Sequence, residues 1–152
     1  MASKAKTTWD GLPASTDKPF GAIVVVFRRK SEILEFLVLH RAHHGIEYEG
    51  NWAWTPPSGC RFPDEPIVDC AERELYEEAG LKLNIKQVSS SVEDWVIYTA
   101  EASMANIVEL IDLEHDKFVW LTYDEAIKKC HPKILKDQFI LASKSVNYPE
   151  IK

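Results

Sequence analysis

The chain has 152 residues, 45% of them hydrophobic and 28% charged, the length and composition of one globular domain able to bury its own core. Eighteen Lys and Arg against 24 Asp and Glu leave a formal charge of -6. With no basic block, binding to nucleic acid through phosphate electrostatics is not expected. Three cysteines, Cys60, Cys70 and Cys130, fit neither a disulfide framework nor a zinc knuckle. No signal-peptide core and no membrane-spanning apolar run occurs, so a cytoplasmic protein without a membrane partner is expected; nothing in the sequence specifies an oligomeric state.

Residues 1–18 mix Ser, Thr, Lys, Gly and Pro around a lone Trp9 and read as a flexible arm, with order beginning near Pro19. A continuous β-branched run at 22–27 predicts a strand buried on both faces. Residues 28–32 make the turn, and 33–39 return as the second strand of a hairpin. Residues 42–51 form a polar loop carrying His43 and His44, which read as solvated. A short strand is expected at 52–54, stopped by Pro56 and Pro57.

Between Gly59 and Gly80 stand seven acids against two bases, a concentration that suggests a cation site. Pro66 suits a helix start and Gly80 a helix stop. Val68, Ala71, Leu75 and Ala79 recur at helical spacing and are expected to face the core. Glu74, Glu77 and Glu78 fall beside that stripe. Like charges on neighbouring turns repel, and hard divalent cations such as Mg2+ offset that repulsion through carboxylate oxygens. Acids on a helix are more often a solvated face, so the helix alone leaves both readings open.

Strands are expected at 95–100, 107–111 and 118–121, with Phe118 and Trp120 in the core. Thr122 and Glu125 fit a capping box that opens a short helix. Pro132 then precedes a last helix, with Leu135, Phe139, Ala142 and Val146 on one face.

A longer pattern decides between the readings of the acidic helix. Gly59, Glu65 and the run Arg73-Glu74-Leu75-Tyr76-Glu77-Glu78-Ala79-Gly80-Leu81 match every fixed position of G-x5-E-x7-R-E-U-x-E-E-x-G-U. By average residue usage such a match arises by chance on the order of once in 10⁸ chains. The sequence resembles the Nudix hydrolases. That resemblance implies an α/β/α sandwich with a mixed β-sheet, the box forming a loop–helix–loop. It makes 19–147 the Nudix domain and 148–152 a tail.

The resemblance also implies roles. Glu74, Glu77, Glu78 and the Ser58 carbonyl match metal ligands, for Mg2+ with Mn2+ as substitute. Gly59, Glu65, Arg73 and Gly80 match residues that support the box. The implied reaction is attack of water on a diphosphate linked to another moiety, which needs a positioned water, charge neutralisation and a proton acceptor.

Outside the box, Trp54-Thr55-Pro56-Pro57-Ser58-Gly59, residues 21–29, and Glu114-His115 followed by Phe118, Trp120 and Leu121 are similar to asymmetric diadenosine tetraphosphate hydrolases. On that alignment Glu114 matches a glutamate that approaches the metals, which with Glu77 makes two catalytic candidates. Trp54, Ser58 and Tyr98 match substrate contacts, and Arg41 at a strand end is a candidate for phosphate, although a plain surface arginine is the favoured reading. Trp52, Tyr48 and Tyr98 offer aromatic faces for a base, and for Trp52 and Tyr98, both in strand patterns, packing is an equal reading. Ser58 and Cys60 stand where those enzymes often carry lysine and histidine. The proline that ADP-ribose hydrolases carry beyond the box is missing, with Val96 and Ile97 there. Besides a dinucleoside polyphosphate, non-canonical nucleoside triphosphates and a catalytically silent nucleotide-binding module remain open.

Overall fold

In the apolar strand β3 (Gly21–Lys30) successive side chains point to opposite faces, and both faces are buried. Ala22, Val24 and Val26 pack beneath helix α1 (Ile67–Ala79) with Ala71, Leu75 and Ala79. Ile23, Val25 and Phe27 pack on the other side against helix α3 (Lys133–Asn147), whose Leu135, Phe139, Ala142 and Val146 form the expected inner face. Phe36 meets Phe139 edge to face, with ring centroids 5.0 Å apart. The result is a helix–sheet–helix sandwich.

The computed structural model describes residues 6–7, 11–90 and 93–147; the tail expected at 148–152 lies outside them. After a two-stranded ribbon of β1 (Lys6–Thr7) and β2 (Pro13–Ala14) come β3 and β4 (Ile33–Arg41), then β5 (Trp54–Thr55), β6 (Ser58–Cys60) and α1. There follow β7 (Ile85–Gln87), β8 (Trp95–Ala102), β9 (His115–Leu121), helix α2 (Tyr123–Lys129) and α3. The β3–β8 pair is parallel and the other pairs are antiparallel, so the sheet is mixed.

The β3–β4 hairpin is a fork. Its strands pair with each other only from Phe27 to Phe36 around the turn. Below that point β8 and β9 hold the outer edges, and the inner edges take β6 on Gly21–Ile23 and β5 on Leu39–His40. The segment 54–60 thus wedges between the tines. Pro56 and Pro57 sit at the crossing between β5 and β6, where a missing N–H costs least; the Pro57 carbonyl still accepts from Val24 N–H at 2.8 Å. This wedge sets the box loop at the head of α1.

Several expectations change. Residues 11–18 are not a free arm: Arg61 donates to the carbonyls of Pro19, Glu65 and Asp17 and to Ser15 Oγ, and Ser15 N–H donates to the Arg61 carbonyl at 2.7 Å. A half-buried guanidinium seeks acceptors, and this stretch supplies two of them. Trp52 is not in a strand, since its φ of 66° lies in the left-handed region. Residues 107–111 are not a strand either. Glu109 and Asp112 N–H groups donate to the carbonyls of Ala79 and Glu77, which caps α1's exposed C-terminal end instead of pairing with the sheet. Phe118 is 40% exposed and not in the core, while Trp120 packs at the core's margin under the Arg28 guanidinium.

The α1 stripe is also shifted. Val68 is exposed, and the buried set is Cys70, Ala71, Glu74, Leu75, Glu78 and Ala79. Two of the glutamates therefore lie inside the buried face, not beside it.

Arg61→Ala removes the hydrogen bonds that seat residues 11–18 and should lower stability by about 2 kcal/mol. Hydrogen exchange at the Ser15 amide should accelerate more than at core amides of β3; unchanged Ser15 protection would show the segment is held by something else.

Candidate active site

Glycine at position 59 lets β6 lie directly on α1. A Cβ there would overlap the Glu74 carboxylate, so any other residue would displace that carboxylate from its place under the loop. The Ser58 N–H donates to Glu78 Oε1 at 3.0 Å. At the other end of α1, Gly80 takes φ 68° as the left-handed cap, and its N–H donates to the Tyr76 carbonyl.

Arg73 fastens the loop. It donates to both oxygens of Glu65, at 2.8 and 3.0 Å, and to the Cys60 carbonyl at 3.0 Å. The same guanidinium reaches Glu74 at 3.1 Å and Glu77 at 3.2 Å and lies over the Phe62 ring. Such bidentate carboxylate pairing is what a planar guanidinium does best. Burial opposes the charge on Glu65, but the hydrogen bonds from Arg73 and Phe62 N–H outweigh it and hold its pKa below the usual value.

The remaining acids converge under the loop. Glu74 is 7% and Glu78 1% exposed. Burial drives the Glu74 pKa up to about 7, with Arg73 opposing and Glu77 reinforcing. Burial, then the charges of Glu74 and Glu114, push Glu78 well above its ordinary value. Glu114, on the loop before β9, is raised by burial against the opposing charge of Arg41. Oxygens of Glu78, Asp112 and Glu114 and a ring nitrogen of His115 lie within 4.8 Å of one another. Glu78 Oε2 is buried and has no hydrogen-bond partner.

A cleft of about 170 Å³ opens above these groups, lined by Arg41, Ser58, Gly59, Glu74, Glu77 and Glu114. Arg41 and Glu114 also border a recess of about 620 Å³ with His43, His44, Trp52 and Leu113. A third hollow, of about 290 Å³, lies between Trp52, Trp95, Ser58 and Ile134.

Of the residues singled out in the sequence, Ser58, Gly59, Glu74, Glu77, Glu78 and Glu114 come together here, braced by Glu65 and Arg73. Arg41 joins them and is no plain surface arginine: its Nη1 stands 3.7 Å from Glu114, and its buried Nε has no partner. Trp54 and Tyr98 do not join them. Trp54 is 5% exposed, donates its indole N–H to Glu49 and packs edge-on against His40. Tyr98 is 2% exposed under α1, because even-numbered residues of β8 face that helix. Trp52, 44% exposed, does border the recesses, and Trp95 borders the hollow with it. His43 and His44 border the larger recess while remaining exposed. Sequence reasoning missed Asp112 and His115; their one signal is that they flank Glu114 in the same short run.

A profile of the NUDIX domain matches residues 17–140. The chain belongs to the NUDIX domain family. The asymmetrical bis(5'-nucleosyl)-tetraphosphatases of Sus scrofa and Mus musculus are 30% and 29% identical to it, each match covering 74% of this chain and 85% of the relative. The structure of a binary complex of the C. elegans Ap4A hydrolase is 25% identical, with a TM-score of 0.60 over 78% of this chain and 93% of that one. The NUDIX domain of Shewanella oneidensis NrtR, cocrystallised with ADP ribose, has a TM-score of 0.65 at 18% identity, covering 84% and 87%, a likeness of fold.

This Nudix hydrolase is thus an enzyme of a family that cleaves phosphoanhydride bonds and uses divalent metals. Its acid cluster fits such a cation. Buried carboxylates that crowd one another are unfavourable without compensation, and Glu78 Oε2 is a buried acceptor with nothing to accept from. Among the described residues no helix is long and apolar enough to cross a membrane.

The same crowding predicts how the metal-free protein responds to pH. Folded Glu74, at about 7, holds its proton more tightly than the ordinary value of 4.5 allows in the unfolded chain. Its contribution is therefore fully present below about pH 4.5 and is lost as pH rises through about 7. Glu78 and Glu114 act in the same direction. In EDTA, Tm should fall between about pH 5 and 7.5, and Glu74→Gln should flatten the fall; a Tm that rises across that range in the parent protein contradicts the buried cluster.

Proposed function

We propose that this Nudix hydrolase is a divalent-cation-dependent pyrophosphohydrolase of a nucleoside diphosphate linked to a second moiety, with a dinucleoside polyphosphate such as diadenosine tetraphosphate as the substrate class. The observation that carries it is the convergence of buried Glu74 and Glu78 with half-buried Glu114 at a cleft bordered by Arg41. Glu74, Glu77, Glu78, Glu114 and the Ser58 carbonyl would hold the cation, Mg2+ with Mn2+ as substitute. A cation there supplies charge neutralisation for phosphate oxygens and lowers the pKa of a water.

The chain's own groups do the rest. Arg41, with a buried Nε lacking a partner, has donors to spare for a phosphate and supplies positive charge near the position where related enzymes often carry lysine and this chain carries Ser58. Glu77, whose side chain is 46% exposed, and Glu114 both border the cleft, so one of them takes the proton of the attacking water. The recess beside Trp52 and the hollow beside Trp95 give room for the moieties on either side of the phosphates. The choice of a dinucleotide leans on the tetraphosphatases at 29–30% identity.

Diadenosine tetraphosphate incubated with the enzyme and Mg2+ should yield ATP and AMP, read by product chromatography. Glu77→Gln should lower kcat by orders of magnitude, and Glu114→Gln at least tenfold, with little change of Tm in EDTA, since each loses a partly exposed ion pair with Arg73 or Arg41 along with a repulsion. If an oxidised or ordinary nucleoside triphosphate has a tenfold higher kcat/KM, a triphosphatase yielding monophosphate and pyrophosphate is the better reading. Full activity in EDTA, or in Glu77→Gln, would favour a binding module.

A further inference from the structure

The site's inner wall carries two groups that the proposed hydrolysis does not use, His115 and Asp112. His115 is 5% exposed, and neither ring nitrogen has a hydrogen-bond partner. Its Nδ1 stands 3.8 Å from Asp112 Oδ1, beyond hydrogen-bond range. A buried imidazole always carries at least one N–H, and leaving both nitrogens unmatched is costly. Next to it Glu78 Oε2 is equally buried and equally unmatched.

The backbone turns His115 to this place. In the β4–β9 pairing the register slips between His40 and Arg41, so that His40 pairs with Lys117 and Arg41 with His115. Asp116 is the extra residue of this bulge and is drawn off to His40 Nδ1 at 2.7 Å. Bulges re-aim neighbouring side chains, often beside active sites. Here one leaves His115 buried among acids, with Asp112 and Glu114 on the loop before it.

We infer that Glu78, Asp112, Glu114 and His115 form a second, mixed oxygen–nitrogen position for a divalent transition cation, on the inner side of the cleft. The inference rests on the cation-dependent reading of the cleft. Donors bound at about 2.1 Å stand roughly 3 Å apart on adjacent positions and roughly 4.2 Å apart on opposite ones; the four donor atoms here already lie within 4.8 Å of one another. The three carboxylates exceed the single Arg41 charge that reaches Glu114, so a cation improves the local balance. Imidazole in the set favours Mn2+, Co2+ or Zn2+ over Mg2+, which takes oxygen and keeps its waters. Glu78 and Glu114 border both positions, so filling the inner one also fixes the carboxylates of the outer one.

The test uses the full-length protein stripped of metal, with MnCl2 as the probe and electron spin echo envelope modulation as the readout. Bound Mn2+ should show a nitrogen coupling that changes from 14N to 15N when the protein carries 15N-histidine. His115→Gln should abolish the coupling and weaken Mn2+ binding tenfold or more while Mg2+ binding changes less than twofold. The double variant His43→Ala, His44→Ala should keep the coupling, which separates His115 from the exposed pair near Glu114. Mn2+ bound through oxygen alone, or a coupling lost in the His43/His44 variant, overturns the inference and leaves the cation-dependent reading standing. Failure of Mn2+ and Mg2+ to bind at all overturns both.

Discussion

The structure depends on one unfavourable thing, the burial of two carboxylates in the inner face of α1. Glu74 and Glu78 occupy helix positions whose neighbours along the stripe are Cys70, Ala71, Leu75 and Ala79, all apolar. An acid in such a row usually swings to solvent, and here the loop over the helix prevents it. Glycine 59 rests on the Glu74 carboxylate and Ser58 N–H holds one oxygen of Glu78. Partial compensation is what the fold supplies; Glu78 Oε2 remains unmatched. A divalent cation is the group whose charge and coordination complete it.

The forked hairpin makes this arrangement rigid. Because β3 and β4 separate below Phe27 and Phe36, a segment entering between them is hydrogen-bonded to a strand on each side, and its far end lands on α1. Arg73 then ties Glu65, Cys60 and Glu74 into one unit, so loop and helix cannot move independently. Arg61 extends the same unit to residues 11–18. The opposite wall is built by β9, where the bulge beside Arg41 sets Glu114 and His115. Precision at the cleft therefore comes largely from strands and a helix, while Asp112 and Glu114 ride on a loop that is itself tied to the end of α1.

Much of this was legible in the sequence because it is periodic or fixed in spacing. The both-faces-buried strand, the capping box of Thr122 and Glu125 and the inner face of α3 follow from local pattern. So do the box residues, whose spacing specifies a loop folded onto a helix. What was not legible depends on tertiary context. Residues 107–111 have strand chemistry, yet the open carbonyls at the end of α1 recruit their N–H groups. The stripe of α1 could be placed only to within a turn by apolar spacing, since Val68 and Cys70 compete for it and acids are discounted as core. Tyr98 and Trp54 looked like substrate contacts, but strand parity sends one under α1 and Glu49 with His40 encloses the other. Trp52 reaches the recess through a positive φ that no side-chain pattern announces. His115 depends on a bulge, and a bulge shifts parity without leaving a mark in composition.

If the buried carboxylates are held partly protonated for want of a cation, cation binding must displace protons. The direct measurement is calorimetric titration of the metal-free protein with MgCl2 near pH 6.5 in two buffers of different ionisation enthalpy. The difference in heat gives the protons released. Net proton release on binding is expected from Glu74, whose pKa is about 7, and from Glu78, raised well above its ordinary value, and Glu74→Gln should reduce it. Binding with no proton release would mean that the carboxylates are already charged and solvated, and would contradict the account.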